Sequence, residues 1–265
     1  MAAPDLAEAR GLTATLLREA VDDTDEAPWM TMPEFQALVI ALLAGILRLH
    51  SRRRRLGWHI STELGVSMPK PEGGALTLGP DLFVVEADEA LRTSWDIPAE
   101  GKPPRFVLEV VTQDSAERDT SPTQKVGYYA AMGVEEYAIY WPYRGDGGSR
   151  LFGHRRDAAG AWSPWSTDER GVLRSRALGG LGLAAAEPPW LRVVDEAGTW
   201  LPSPEEEADA RLLADARAER EAARAEREAR DRQQAEERAE AEAQRAADAE
   251  AEVARLRALL ERRGS

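Results

Sequence analysis

Two carboxylates in this sequence stand among apolar residues. Glu109 interrupts the strand-like run 105–111, RFVLEVV, which is otherwise apolar from Phe106 onward. A carboxylate in a buried strand costs free energy unless a cation, a hydrogen-bond partner or a cleft compensates it. Asp81 follows Pro80 at the start of a second short apolar run. If the two strands were neighbours, these side chains would offer the hard oxygen ligands that Mg²⁺ or Mn²⁺ prefers.

Lys125 is the third candidate, because it lies on a predicted helix that follows the Glu109 strand. Together the three side chains are the parts of metal-assisted phosphodiester hydrolysis. The metal would polarise the phosphate and activate a water, and the ammonium would position that water or neutralise developing charge. Structural alternatives stay open: Glu109 could pair with Arg105 or Arg118, Asp81 could cap a turn, and Lys125 could be a surface residue.

Several other residues are accessory candidates for the same site. Gln113 comes just after the Glu109 strand, and Asp119 could join the site, pair with Arg118 or cap a helix. Glu34 and Glu63 could each add an acidic ligand, although both are more typical of surface positions. Tyr128 and Tyr129 are expected to pack in the core or at its rim rather than to take part in chemistry.

One dense basic cluster is visible, in the run 50–55, HSRRRR. Arg52, Arg53, Arg54 and Arg55 could contact DNA phosphates. They could equally be the cationic end of a helix, where positive charge favours the helix dipole.

These candidates are placed by a mixture of predicted helices and strands. Apolar residues at 3,4 spacing predict a helix from Pro33 to the basic run, and residues 123–133 predict a second helix that ends at a glycine. The clearest strands are predicted at 82–85, 105–111 and 136–141, with shorter ones near residues 57–68 and 151–162. This order of elements predicts an α/β or α+β domain with a mixed sheet of modest size.

The composition changes abruptly near Pro204. All eight Trp precede it, whereas residues 205–263 contain no Gly, Pro or aromatic residue and consist mainly of Ala, Glu, Asp, Arg and Gln. We therefore predict a long charged helix in a segment 202–265, after a domain at 33–201 and an N-terminal extension at 1–32. The 3,4 spacing of a coiled-coil seam is present at Ala246, Ala249, Val253, Leu256 and Leu260, and farther back only alanines approximate it. Any pairing should therefore be weak, and a solvated helix with no partner is the alternative.

Composition also excludes some classes of function. The chain has no Cys, which rules out disulfides, thiolate metal sites and a Cys nucleophile, and it has only three His. A net charge of -13 argues against a protein that binds nucleic acid through its overall charge, although it allows a local basic patch. The most apolar run, residues 38–47, is about half the length of a membrane span, so we expect a cytoplasmic protein with no membrane contact.

The order and spacing of these motifs resemble a known family. The matching residues are Pro80-Asp81, Leu108-Glu109-Val110-Val111, Arg118-Asp119, Lys125, Tyr128-Tyr129, Gly133-Val134-Glu135-Glu136-Tyr137 and Trp141-Pro142. They look like the Uma2 family (DUF820) of the PD-(D/E)XK nuclease superfamily. The resemblance implies a restriction-endonuclease-like core with a mixed central sheet flanked by helices. It also implies a Mg²⁺- or Mn²⁺-dependent endonuclease acting on DNA.

Carried over by residue, the resemblance makes Asp81 and Glu109 the metal ligands. The superfamily pattern has Lys two residues after the strand carboxylate, where this chain has Val111, and Lys125 on the following helix is the implied substitute. Two further departures are Trp141 before Pro142, where Asp is usual, and the lack of the family's usual Tyr-Glu-Leu stretch before Pro33.

Two other functions are compatible with the sequence. In the first, an inert nuclease-like fold serves as a scaffold or oligomerisation protein through its C-terminal helix. In the second, the site hydrolyses something smaller than DNA, such as a nucleotide. For either a nuclease or a scaffold we expect a homo-oligomer, with a dimer favoured.

Overall fold

The computed structural model describes residues 33–143 and 149–263. The predicted N-terminal extension, residues 1–32, lies outside the described residues. The chain divides after Glu205 into two compact units, close to the predicted boundary at Pro202.

Six strands form a central sheet in the first unit: β1 (Trp58–Thr62), β4 (Leu82–Glu86), β6 (Phe106–Val110), β7 (Glu136–Trp141), β8 (Arg150–Arg156) and β9 (Trp162–Ser166). They lie side by side in that order. All neighbours are antiparallel except β6 and β7, which are parallel. Two short helices, α3 (Ala116–Thr120) and α4 (Lys125–Met132), lie in the crossover between the parallel strands, as such a connection requires.

Both faces of this sheet are covered. On one face pack α1 (Glu34–Arg54) and a small antiparallel sheet of β10 (Val172–Arg174), β11 (Gly182–Ala185) and β12 (Leu191–Val194). On the other pack α4 and a second small sheet of β2 (Val66–Pro69), β3 (Ala75–Leu78) and β5 (Trp95–Asp96). The short helix α2 (Ile97–Glu100) follows β5. Strand β6 therefore has alternate side chains in two separate hydrophobic cores, which explains its nearly continuous apolar sequence.

Helix α1 is long because its apolar residues recur on one side. Val39, Leu43, Ile46 and Leu47 are fully buried against the sheet. The helix ends where Arg55 adopts a left-handed backbone (φ 55°). Among the described residues α1 is the one helix that would be long and apolar enough to cross a membrane, and here its apolar side belongs to the protein core.

The second unit is helical. Helix α5 (Pro204–Arg263) runs for 60 residues without a break. Its side chains from 217 to 255 are all exposed, including Ala246, Ala249 and Val253 of the predicted seam. The side chains of Leu256 and Leu260 lie outside the described residues, and pairing of this helix stays a prediction.

The predicted fold class is confirmed. The molecule is α+β, with a mixed sheet between helices and a long C-terminal helix, as in a restriction-endonuclease-like fold. The segment 95–104 contains β5 and α2, and the backbone of the buried Trp95 pairs with β2.

Candidate functional site

The two predicted carboxylates meet across one pair of antiparallel strands. Strands β4 and β6 pair Leu82 with Leu108 and Phe83 with Val107. Continued by one residue, this register places Asp81 opposite Glu109. The backbone N–H of Val110 donates a hydrogen bond of 2.6 Å to Oδ2 of Asp81, which fixes the aspartate at the end of β6.

Asp81 is buried and held by polar groups from two elements. Besides Val110, the Nε2 of Gln36 in the first turn of α1 donates to Oδ1 at 3.0 Å and to Oδ2 at 3.1 Å. Burial raises the pKa of Asp81 to about 6, and the hydrogen bond from Val110 and the charge of Lys125 hold it from rising further. The carboxyl group is therefore poised to lose its proton near neutral pH.

Glu109 is 2% exposed and has two side-chain partners. The Nζ of Lys125 donates to Oε1 at 3.1 Å, and the hydroxyl of Tyr129 donates to the same oxygen at 2.7 Å. Burial raises the pKa of Glu109 well above its ordinary value, and the charge of Lys125 opposes this rise. The charges of Asp81 and Asp119 raise the pKa of Glu109 further. The glutamate therefore lies in a cluster of like charges.

Asp119 completes the cluster from α3. Its Oδ1 lies 3.2 Å from the Nζ of Lys125 and 3.3 Å from the Nε of Arg118. The hydroxyl of Tyr137 on β7 donates to the backbone carbonyl of Asp119 at 2.8 Å, which holds the short helix over the sheet. Lys125 thus bridges Glu109 and Asp119.

The crossover after β6 explains why these groups converge. Lys125 is the first residue of α4, and Tyr129 follows one helical turn later on the same side. Both reach Glu109 because α4 packs on the sheet face that Glu109 shares with Val107 and Val111. Val111, which stands at the superfamily's lysine position, is buried in that same core.

The donor set suits a hard divalent cation. Three carboxylates, of Asp81, Glu109 and Asp119, face the two cations of Lys125 and Arg118, so negative charge is in excess. Within the described residues, however, no three acidic or histidine side chains are already arranged to hold a metal ion together. Carboxylate oxygens are the type of ligand that Mg²⁺ or Mn²⁺ prefers. Asp81 and Glu109 are the pair that the strand register places opposite each other.

The other predicted site residues lie outside this cluster. Gln113 is exposed in the connection from β6 to α3. The register of β1 with β4, continued by one residue, places the backbone of Glu63 beside Asp81, but its side chain is exposed and its backbone is left-handed (φ 56°). Glu34 is also exposed, two residues before Gln36. In the part of the chain that the structure describes, none of these three side chains forms a hydrogen bond or ion pair with the cluster.

The basic cluster is remote from the carboxylates. Arg52, Arg53, Arg54 and Arg55 are exposed at the C-terminal end of α1, whereas Gln36 contacts Asp81 from its N-terminal end. At about 1.5 Å per residue, these two ends are roughly 25 Å apart. The four arginines therefore do not contribute to the carboxylate site, and DNA contact by them stays a prediction.

Two functional residues were missed by sequence reasoning. Gln36 was overlooked because a polar residue at the start of a helix is ordinary, and only the fold brings it to Asp81. Tyr129 was expected to pack, and it does, but its hydroxyl also contacts Glu109. Its spacing of four residues from Lys125 was the available signal.

Comparison with known proteins is consistent with this geometry. No curated protein matches the chain. The Uma2 family model, described as "Putative restriction endonuclease", matches residues 23–186, which is more than half of the chain and includes every residue of the cluster. That description supports nuclease activity for the family. The chain belongs to the Uma2 family.

Proposed function

We propose that this protein is a metal-dependent endonuclease that hydrolyses phosphodiester bonds in DNA. In this proposal Asp81 and Glu109 hold Mg²⁺ or Mn²⁺, and Lys125 assists the attacking water. The observation that carries it is the placement of two buried carboxylates on adjacent strands, with one ammonium group 3.1 Å from Glu109. The Uma2 family membership supports the class of reaction.

Each side chain has a definite part in this proposal. A bound divalent cation would polarise the phosphate and lower the pKa of a water molecule. Lys125 places positive charge next to the reacting phosphate, where charge develops in the transition state. Tyr129 and Gln36 orient the carboxylates through the hydrogen bonds that they donate to Glu109 and Asp81.

The proposal is tested by cleavage of plasmid and linear DNA with and without divalent metal. Wild-type protein should cut only when Mg²⁺ or Mn²⁺ is present. Glu109→Gln should reduce the rate at least about 100-fold, because the ligand charge is lost while the side-chain size is kept. Glu117→Gln, which neutralises an exposed glutamate on α3, is the matched control and should cleave at the wild-type rate. Full metal-dependent activity in Glu109→Gln would refute the assignment.

One observation favours the alternative of an inert scaffold. Lys125 already forms close ion pairs with both Glu109 and Asp119, an arrangement that can stabilise the fold without any metal. Isothermal titration with Mn²⁺ separates the two functions. The nuclease binds Mn²⁺ at one or two sites in the wild type and loses this binding in Asp81→Asn, whereas the scaffold shows no such binding.

A further inference from the structure

A second polar feature of the first unit is a cleft of about 710 Å³ between the first residues of β8, the end of β9 and the outer face of the β10–β12 sheet. Its lining includes Arg150, Arg170 and Arg174, together with Phe152 and Trp200. The described residues that line it include no Asp or Glu. In a chain of net charge -13, three arginines in one cleft form a local reversal of charge.

The arginines are not all equally available. Arg150 and Arg170 are exposed, and the guanidinium of Arg150 lies 4.4 Å from the centre of the Phe152 ring. Arg174 is partly neutralised, because its Nε lies 3.5 Å from Oδ2 of Asp168, just outside the cleft lining. At least two positive charges therefore remain for an anionic ligand.

The cleft also offers an aromatic surface. Trp200 is 47% exposed, and the guanidinium of Arg192 lies 5.8 Å from the centre of its indole ring. Exposed aromatic rings next to cationic side chains are the usual means by which proteins bind unpaired nucleic acid, since bases stack on the ring while phosphates meet the cations.

Strand register relates the cleft to the carboxylates. Glu109 pairs with Ile139, and Ile139 pairs with Phe152, so these three side chains share one face of the sheet at one level. Arg150 is two residues from Phe152 on that same face. Two strand spacings, about 10 Å, separate β8 from β6. Arg150 and Phe152, which line one side of the cleft, therefore lie on the sheet face of Glu109, whereas the β10–β12 sheet that lines the other side packs on the opposite face.

We propose that this cleft binds an unpaired DNA strand, with phosphates on Arg150, Arg170 and Arg174 and a base stacked on Trp200. The inference rests on the proposed function for its link to cleavage, but binding itself needs no metal. It assigns DNA contact to this cleft rather than to the basic run at the end of α1.

The test is fluorescence anisotropy of a labelled single-stranded oligothymidylate with the full-length protein in EDTA. The variant R150Q/R170Q/R174Q should bind about 10-fold more weakly or worse, with a salt dependence reduced by two to three phosphate contacts. The control variant R52Q/R53Q/R54Q also removes three positive charges, but at the C-terminal end of α1, outside the cleft. Its affinity for the oligonucleotide should stay within twofold of wild type. Trp200→Leu should weaken binding several-fold.

A double variant, a folding check and a competition experiment complete the test. Because Arg174 also bonds the carbonyl of Asp195, R150Q/R170Q is measured in parallel, and circular dichroism verifies that each variant is folded. Millimolar dTMP should not displace the oligonucleotide, and displacement would indicate a mononucleotide site instead. Failure of the wild type to bind, or equal losses in the cleft and helix-end variants, would overturn the assignment.

Cleavage assays separate this inference from the proposed function. If both hold, the cleft variant cuts DNA in Mg²⁺ with a raised KM, and excess DNA restores its rate. Binding through the cleft without metal-dependent cleavage would refute the proposed nuclease activity and support DNA binding in the cleft. Cleavage that is unaffected in the cleft variant would refute DNA binding in the cleft and support the proposed nuclease activity.

Discussion

Two buried glutamates in this molecule show how a structural carboxylate differs from a candidate ligand. Glu136 at the start of β7 is as buried as Glu109. It accepts hydrogen bonds from the hydroxyl of Ser175 and the backbone N–H groups of Arg176 and Ala177, and so ties a loop to the sheet. Glu109 instead meets a buried ammonium and the charges of two aspartates. Burial alone therefore does not mark a site, whereas burial among like charges does.

The raised pKa of Asp81 leads to a prediction about pH. In the folded protein this pKa is about 6, above its ordinary value of 3.8, because burial disfavours the charged form. The stabilising contribution of the protonated group is complete below about pH 4 and is lost as pH rises through 6. In the metal-free protein at pH 8 the buried charge should cost on the order of 3 kcal/mol.

Asp81→Asn should remove that cost, because an amide oxygen can still accept the hydrogen bond from Val110. Thermal unfolding in EDTA should give nearly equal Tm values for variant and wild type at pH 4 and a variant Tm several degrees higher at pH 8. Added Mn²⁺ should raise the wild-type Tm above about pH 6 and leave the variant unchanged. A variant less stable than wild type at pH 8 would contradict this interpretation.

The residues of the site could be predicted only in part. Asp81 and Glu109 were predicted because a charge within or next to an apolar strand is conspicuous, and Lys125 because it lies on the helix that was predicted to follow the Glu109 strand, as the family resemblance also implied. Lys125 reaches Glu109 from α4, which packs on the same face of β6 as Val111, the residue at the superfamily's lysine position. Gln36 could not be predicted, since its contact with Asp81 joins residues 45 apart in the chain.

At the scale of elements, the long apolar patterns and the short strands near residues 57–68 and 151–162 were predicted correctly, whereas β3, β5, β10 and β12 were not. In helix α1 the buried residues recur at helical spacing, whereas β4, β6 and β7 are each a continuous run of four or five buried residues. The strands β10 and β12 have only three or four residues, too few to show alternation, and they are stabilised by packing on the central sheet. Tertiary contact, rather than local sequence, determines such elements.

A glycine in β8 provides a prediction for the sheet. A Cβ on Gly153 would lie 2.2 Å from the carbonyl oxygen of Tyr137 and 3.1 Å from the ring of Trp165. Gly153→Ala must therefore push β8 away from β7, and we expect a loss of roughly 2–3 kcal/mol in the free energy of unfolding. Chemical denaturation measures it. Gly79→Ala, where no atom lies within 4 Å of the new Cβ, is the control and should be nearly neutral.

If Gly153→Ala unfolded at the same denaturant concentration as wild type, the result would contradict the conclusion that β7 and β8 are too close at this position to accept a Cβ. If Gly79→Ala were equally destabilised, the effect would come from lost backbone flexibility rather than from the sheet. The strand pair matters for function because β7 carries Tyr137, which holds the Asp119 helix in place.

At the scale of the whole molecule, the charge is unevenly divided. The segment after Pro204 has 18 acidic and 13 basic residues, spaced along a helix whose described side chains are almost all exposed. Such a helix gains little from burial and is supported by ion pairs one turn apart, including Arg224–Glu228 and Arg230–Glu226. Its contribution should therefore be to assembly rather than to the stability of the first unit.

A chain that ends at Arg211 tests this division. It keeps the first two turns of α5, and its first unit should unfold within about 2 °C of the full-length protein. We expect it to be a monomer by size-exclusion chromatography with light scattering, whereas the full-length chain forms a weak dimer. It should also keep metal-dependent cleavage. A monomeric full-length chain would refute the expected role of α5 in assembly, and loss of cleavage in the short chain would favour the scaffold.

The pairing of β4 with β6 has a consequence for how this protein can change through insertions and deletions. Asp81 and Glu109 face each other because the strands keep one register, so loss of a single residue within Leu82–Glu86 would turn Asp81 to the opposite face. The connection of residues 87–105 lies beyond the paired residues at the far end of both strands. Its exposed stretch, residues 88–91, precedes the buried Trp95 of β5 and can vary in length without moving either carboxylate, so we expect natural and engineered variation in length to concentrate there.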